Sequence, residues 1–148
     1  MDHETITKNT EQLINGYPNT YTSTKNLAER YLERNRGNLR LIINRPTMIY
    51  GCFREPMPGW VDQVTPLGGV GFPLALGMAR SFYFTNVFLD FIPGDIVTNQ
   101  IIVATAFATT TPVPEFKIFH NSMTGSNPTK VWEFWKSGIE YLKYNPFE

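Results

Sequence analysis

Tyr21-Thr22-Ser23-Thr24-Lys25 is the stretch of this sequence whose residue types and spacing could do chemistry. On a helix, a Tyr and a Lys four residues apart lie on one face, one turn from each other. An ammonium near a phenol favours the phenolate, lowering a Tyr pKa that starts at about 10. A Tyr tuned in this way can pass a proton to a carbonyl oxygen while a hydride arrives at the carbon. Alone, the pair is prone to coincidence in a chain with seven Tyr. Two residues on the first turn of a surface helix is the competing reading, so the surrounding elements must decide.

The element that would carry the pair is a helix starting near Thr20. Gly16, Pro18 and Asn19 mark the turn before it, and Pro18 bars a continuous helix through that point. Leu27, Ala28, Tyr31 and Leu32 supply an apolar stripe, and Gly37-Asn38 the stop, for a helix of about 16 residues. Leu39 to Asn44 follows as a short apolar strand, ended by Arg45-Pro46 because Pro cannot donate to a ladder. A helix, a tight Gly turn and a buried strand make half of a βαβ unit. Ligands in such sheets sit beyond the carboxyl ends of the strands. That places Pro46-Thr47-Met48-Ile49-Tyr50-Gly51 at the mouth of a site, with an ordinary loop as the alternative.

From Cys52 to Gly77 the pattern dissolves into Pro, Gly and aromatic residues, which suggests a lid or binding surface. Gly69-x-Gly71 runs on to Leu74 rather than Gly and follows no clear strand, so it reads as loop. Phe82 to Ile92 has strand character and stops at Pro93-Gly94. Asp95 then reads as the N-cap of a helix turning Ile96, Val97, Ile101, Ala104 and Ala108 inward. Phe116 to His120 reads as a strand. Asn127-Pro128 opens a last helix with the stripe Val131, Trp132, Trp135, Ile139 and Leu142, ended by Asn145-Pro146.

Composition narrows the function classes. The 148 residues are 42% apolar and 14% aromatic, a globular balance able to bury one sizeable core. Thirteen basic residues offset thirteen acidic ones, so no net field attracts nucleic acid or an anionic membrane. Only Arg30, Arg34, Arg36, Arg40 and Arg45 come close to a basic patch, and Glu29 and Glu33 interrupt the run, which suits a solvated helix face better than a nucleic-acid patch. Cys52 is the only cysteine and His3 and His120 the only histidines, which leaves no intrachain disulfide and no zinc ligand set. No apolar stretch is long enough to span a bilayer, and the expected setting is intracellular and reducing.

Five ordered blocks between residues 17 and 132 resemble a known family. These are Pro18-Asn19-Thr20-Tyr21-Thr22-x-Thr24-Lys25-x-Leu27-Ala28-Glu29; Arg45-Pro46-Thr47-x-Ile49; Glu55-Pro56-x-Pro58-Gly59-Trp60-x-Asp62; Phe91-Ile92-Pro93-x-Asp95-x-Val97-x-Asn99-x-Ile101-Ile102; and Asn121-Ser122 through Gly125-Ser126-Asn127-Pro128 with Trp132. They resemble the alcohol-forming fatty acyl-CoA reductases, the male-sterility-type members of the extended short-chain dehydrogenase/reductases. The resemblance implies an α/β fold, a partial Rossmann-type sheet with helices and a small substrate-binding subdomain. It also implies reduction of a long-chain acyl-CoA by NADPH to the fatty alcohol. Tyr21 would be the proton donor and Lys25 the group that binds the nicotinamide ribose and activates Tyr21. Pro46, Thr47 and Ile49 would face the nicotinamide, and Trp60 and the Phe82–Phe91 region would wall the acyl chain. Peroxisomal or endoplasmic-reticulum association is part of the same implication.

The departures from the family pattern shape the remaining expectations. Only 20 residues precede Tyr21, and none forms the strand and Gly-rich turn that cradle the cofactor pyrophosphate in that family. The Ser that assists the Tyr there has no counterpart, and Gly94 stands where the family has a small apolar residue. Residues 1–148 are therefore expected to form one incomplete reductase domain. Its parts are an active-site helix with its strand (17–51), a substrate-side excursion (52–94) and closing helices with a strand (95–148). The isolated chain is expected to be inactive. The alternative is a non-catalytic remnant or interaction module that pairs with a complementary or full-length reductase chain through an exposed strand edge.

Overall fold

The computed structural model describes residues 5, 9, 14, 16–63, 68–78, 81, 83–110 and 116–146. The lead-in before Gly16 falls largely outside these, as does Phe82. The described chain is mixed α/β and divides into two units: Met1–Ile43 with Ala108–Ile118, and Asn44–Phe107 with Phe119–Glu148.

In the first unit, helix α1 spans Thr20–Asn35, the extent expected from its sequence. Asn19 caps it from an extended conformation, its side-chain oxygen accepting the Thr22 N–H at 2.9 Å. The helix interior holds neither Gly nor Pro, and the chain leaves it through Gly37, whose φ of 57° is left-handed. The apolar stripe is not buried: Leu27 is 67%, Tyr31 65% and Leu32 50% exposed. Asn19→Ala removes the acceptor for one of the otherwise unbonded first-turn donors. It is expected to destabilise α1 by about 1 kcal/mol, read as lost helical ellipticity on melting.

Strand β1 covers Leu41–Pro46, two residues later than expected, because the Leu39 N–H is committed to the Arg36 carbonyl at 3.0 Å in the turn. It pairs with β5, Phe116–Asn121, one residue longer than the strand read from sequence. Directly after β1, Met48–Tyr50 form strand β2, within the stretch read from sequence as the mouth of a site with an ordinary loop as the alternative. Its partner is distant: β2 pairs in parallel with β4, Phe91–Pro93, in the register Met48↔Phe91, Ile49↔Ile92, Tyr50↔Pro93. A separation of 43 residues is invisible to local propensity, so the β-branched and aromatic side chains gave the only hint.

Gly68–Ala75 is helix α2, with Pro73 inside it; the loop reading of Gly69-x-Gly71 is corrected. Its Gly and Pro residues are poor helix formers, which is why local propensity points to a loop. The strand read over Phe82 to Ile92 is, among the described residues, only β3, Phe88–Leu89, and β4, broken at Asp90. Helix α3, Gly94–Thr110, begins two residues earlier than an Asp95 N-cap would allow, and Asp95 bonds elsewhere. Val97 and Ala104 are buried, whereas Ile101 is 47% exposed and is not part of the core.

The final helix, α4, spans Val131–Tyr144 and not Asn127 onward. Thr129–Lys130 are drawn into strand β6, antiparallel to β3, with Phe88↔Lys130 and Leu89↔Thr129. Val131 is buried, Trp132 is 54% exposed, and Phe134 packs in its place. Phe134 lies 5.3 Å from the Phe91 ring and 5.8 Å from Tyr50, which itself stacks on Phe91 at 5.6 Å. This aromatic cluster joins α4 to the β2–β4 pair. The buried apolar side chains of the second unit, among the described residues, are Ile92, Val97, Ala104 and Val131.

Candidate functional site

In the first unit, α1 presents Tyr21 and Lys25 as the sequence spacing requires. The Lys25 Nζ stands 5.6 Å from the centre of the Tyr21 ring, within the reach of a cation–π contact. Tyr21 is 70% exposed, so the phenol is open to a ligand. The neighbouring hydroxyls turn back on the helix. Thr24 Oγ1 donates to the Thr20 carbonyl at 2.7 Å, and Thr22 Oγ1 to the Asn19 carbonyl at 3.0 Å. Tyr21 and Lys25 are left as the groups that project from this turn.

In the second unit, the end of β1 and the start of β2 place Pro46, Thr47 and Ile49. The Thr47 N–H donates to the Asn121 carbonyl at 2.9 Å, and its Oγ1 lies 3.4 Å from Asp90 Oδ1. Ile49 is centred in β2 opposite Ile92 and is 48% exposed. Trp60 is 44% exposed. Its carbonyl accepts from the Cys52 N–H at 3.0 Å, and its N–H donates to Met57 at 3.1 Å. Gly51 lies so close to this turn that a Cβ there would sit 3.1 Å from the Gly59 carbonyl oxygen.

Two carboxylates hold this region: Asp90, which sequence reasoning left without a role, and Asp95, which it read as a helix N-cap. Asp90 accepts from Ser122 Oγ at 2.7 Å and from the backbone N–H groups of Met123 and Thr124 at 3.0 and 3.3 Å. The Ser122 bond, aided by those amides, holds its carboxyl below the usual range. Asp90 thereby ties the turn after β5 to Thr47. Its signal was a lone acid in the apolar run Phe88-Leu89-Asp90-Phe91-Ile92. Asp95 clamps the excursion, accepting the N–H groups of Phe53, Arg54 and Glu55 at 2.8, 2.8 and 3.2 Å. The Phe53 amide, then Arg54 and Glu55, lower its carboxyl to about 2.

A folded-state value below the unfolded 3.8 means that the clamp is fully present above about pH 4 and is lost as pH falls towards about 2. Trp60 fluorescence followed through that window is expected to show the excursion loosening, and Asp95→Asn is expected to abolish the transition.

Two apolar cavities open in the second unit. One, of about 600 Å³, lies between α2 and α4 beside Tyr50. The other, of about 420 Å³, borders Phe53, Phe91 and Met123, and the two share Tyr50, Thr129 and Phe134 as walls. Trp60 lines neither. Among the described residues, no helix is long and apolar enough to cross a membrane. No three His, Cys, Asp or Glu side chains among them group to hold a metal ion.

A family model described as male sterility protein, of the NAD-binding type, matches residues 1–101. The chain is 30% identical over 149 aligned residues to fatty acyl-CoA reductase 1 of Xenopus laevis, covering 100% of this chain and 29% of that protein. Over 135 residues it is 33% identical to probable fatty acyl-CoA reductase 5 of Arabidopsis thaliana, covering 90% and 27%. Over 133 residues it is 33% identical to the alcohol-forming fatty acyl-CoA reductase of Simmondsia chinensis, covering 89% and 27%. The chain thus spans under a third of the length of these relatives. The matched residues 1–101 include α1, Tyr21, Lys25 and the β1–β2 turn, and by them the chain belongs to the male sterility protein family of NAD-binding domains.

Proposed function

We propose that these residues form the proton-donating and substrate-facing part of a reductase that converts long-chain acyl-CoA to fatty alcohol with NADPH. The observation that carries the reading is the Tyr21–Lys25 pair, an exposed phenol with an ammonium 5.6 Å from its ring centre. A phenol donor and a ribose-binding cation one helical turn apart suit the nicotinamide-ribose end of the cofactor. The pyrophosphate end has no such match, since Gly69-x-Gly71 lies within α2 and does not continue as a dinucleotide fingerprint.

In this scheme the bound cofactor supplies hydride. Tyr21 delivers a proton to the oxygen as each hydride reaches the carbonyl carbon, and Lys25 offsets the negative charge left on the phenol. The first reduction breaks the thioester C–S bond and releases the CoA thiol. The second converts the resulting aldehyde to the alcohol. Pro46, Thr47 and Ile49 border the nicotinamide, with Thr47 held by Asp90 and Asn121. Residues 17–51 act as the active-site helix and strand, 52–94 as the substrate-side excursion and 95–148 as the closing elements. The protein acts inside the cell, at peroxisomal or endoplasmic-reticulum membranes.

The phosphate-binding half of the dinucleotide site lies outside these 148 residues in this proposal, since amides of a Gly-rich turn and helix N-terminus supply much of that binding. The purified chain is therefore expected to show no saturable NADPH binding in a fluorescence titration and no turnover by itself. Clear saturation would contradict that part of the proposal.

A second reading, a non-catalytic module pairing with another reductase chain, is favoured by exposed apolar side chains on α3, where Ile101, Ile102 and Val103 are 47%, 62% and 66% exposed. A cooperatively melting monomer in sedimentation would count against it.

A further inference from the structure

The cavity between α2 and α4 is one that the chemistry above leaves unused. Its walls are Phe72, Leu74 and Ala75 on one side, Phe134 and Tyr141 on the other, and Tyr50 at one end. Tyr50 directly follows Ile49 at the carboxyl end of β2, the side on which ligands of α/β sheets sit. The volume of about 600 Å³ is in the range of small-molecule sites, which are mostly apolar.

Two of the polar side chains on its walls are bonded within α4 and its cap. The Glu133 carboxylate accepts the Lys130 N–H at 3.2 Å, and Ser137 Oγ donates to the Glu133 carbonyl at 3.0 Å. The remaining lining is mainly apolar, with the Tyr50, Thr129 and Tyr141 hydroxyls among its other polar groups, and a phosphate would meet the Glu133 charge. Hydrocarbon fits.

Each facing helix also carries a glycine on this wall, Gly71 in α2 and Gly138 in α4. Glycine inside a helix is unfavourable relative to Ala, so some need should hold it there. Neither has a positive φ, and a Cβ added at either would meet no atom within 4 Å. Neither backbone conformation nor protein packing accounts for them. Space in front of them does.

We infer that this groove holds the acyl chain of the thioester, with Gly138 and Gly71 leaving it the width that a long chain needs. The inference rests on the acyl-CoA reading above. The CoA phosphates stay outside, the thioester lies at the Tyr50 end, and the chain runs along α4 towards Tyr141.

The test is calorimetric titration of octanoyl-, lauroyl- and palmitoyl-CoA, below their micellar concentrations, into the 148-residue chain and its Gly138→Ala and Gly138→Leu variants. Each added methylene is expected to tighten wild-type binding by about two- to fourfold, for half to full burial. Gly138→Leu is expected to weaken palmitoyl-CoA by about tenfold or more through lost apolar burial, while octanoyl-CoA changes less than about twofold. Gly138→Ala is expected to keep the chain-length dependence and melt no earlier than wild type. Gly71→Leu obstructs the opposite wall and is expected to act as Gly138→Leu does if that variant fails to fold.

Wild-type binding with both Leu variants unchanged would overturn the groove assignment and leave the reductase reading standing. So would a dimer of the chain that Gly138→Leu dissociates, since a second copy would then fill the groove. No binding of any acyl-CoA by the wild type would overturn the groove assignment, whereas the reductase reading falls only if the reductase carrying this segment fails to reduce palmitoyl-CoA.

Discussion

Tyr21→Phe is expected to lower the rate of acyl-CoA reduction by about 10²- to 10⁴-fold, the range of a lost general acid. The setting for this measurement is a homologous reductase whose matching segment has been replaced by these residues. The substitution removes one hydroxyl and nothing that packs, since the ring is 70% exposed, and helix α1 retains its Asn19 cap. Affinity for acyl-CoA is therefore expected to stay within about twofold, which puts the loss in kcat. Lys25→Met should lower kcat too, and should also weaken NADPH, because the ammonium is assigned both the ribose and the charge near the phenol. A Tyr21 that only covered the surface would leave kcat unchanged, and stopped-flow measurement of NADPH consumption separates the two.

Ile92→Ala is expected to cost about 3 kcal/mol of stability, within the range of buried Ile truncations. Ile92 is 2% exposed at the centre of β4, opposite Ile49 in the parallel pair. The strands cannot collapse on the void without losing that register, so most of the cavity would persist. Single domains are stable by only about 5–15 kcal/mol, so the loss removes a large share. Because Ile49 belongs to the β2 end assigned to the nicotinamide, the defect should also loosen Thr47 and Ile49. Urea titration is expected to show a lower midpoint at an unchanged slope. Ile102→Ala, at a site 62% exposed, should shift the midpoint by less than about 0.5 kcal/mol. Equal effects from the two would contradict the core described here.

Local signals in the sequence marked what local physics decides. Helix α1 was readable to the residue because Asn19, an interior free of Gly and Pro, and Gly37 all act within one turn of its ends. The Tyr21–Lys25 contact followed from helical spacing alone. Long-range pairing was not legible. Met48–Tyr50 became a strand only through Phe91–Pro93, and Thr129–Lys130 left the expected helix only through Phe88–Leu89. Helix α2 was missed because its Gly and Pro content argues for a loop. Asp95 looked like a cap because caps and loop clamps use the same carboxylate chemistry. Only the amides of residues 53–55, forty positions away, distinguish them. The apolar stripes on α1 and α3 show the converse limit: periodicity identifies a face but does not say what covers it.

In the proposed reaction these residues move a proton to a carbonyl oxygen as nicotinamide hydride reaches its carbon. Isotope transfer tests it most directly. The reductase carrying this segment is given palmitoyl-CoA and NADPH deuterated at the transferable nicotinamide position, and the product is read by mass spectrometry. The result expected is a fatty alcohol with deuterium at both hydrogens of its carbinol carbon, absent when Tyr21 is Phe. A well-folded, NADPH-binding preparation that yields only unlabelled fatty acid, or labelled alcohol at the same rate without Tyr21, would contradict it.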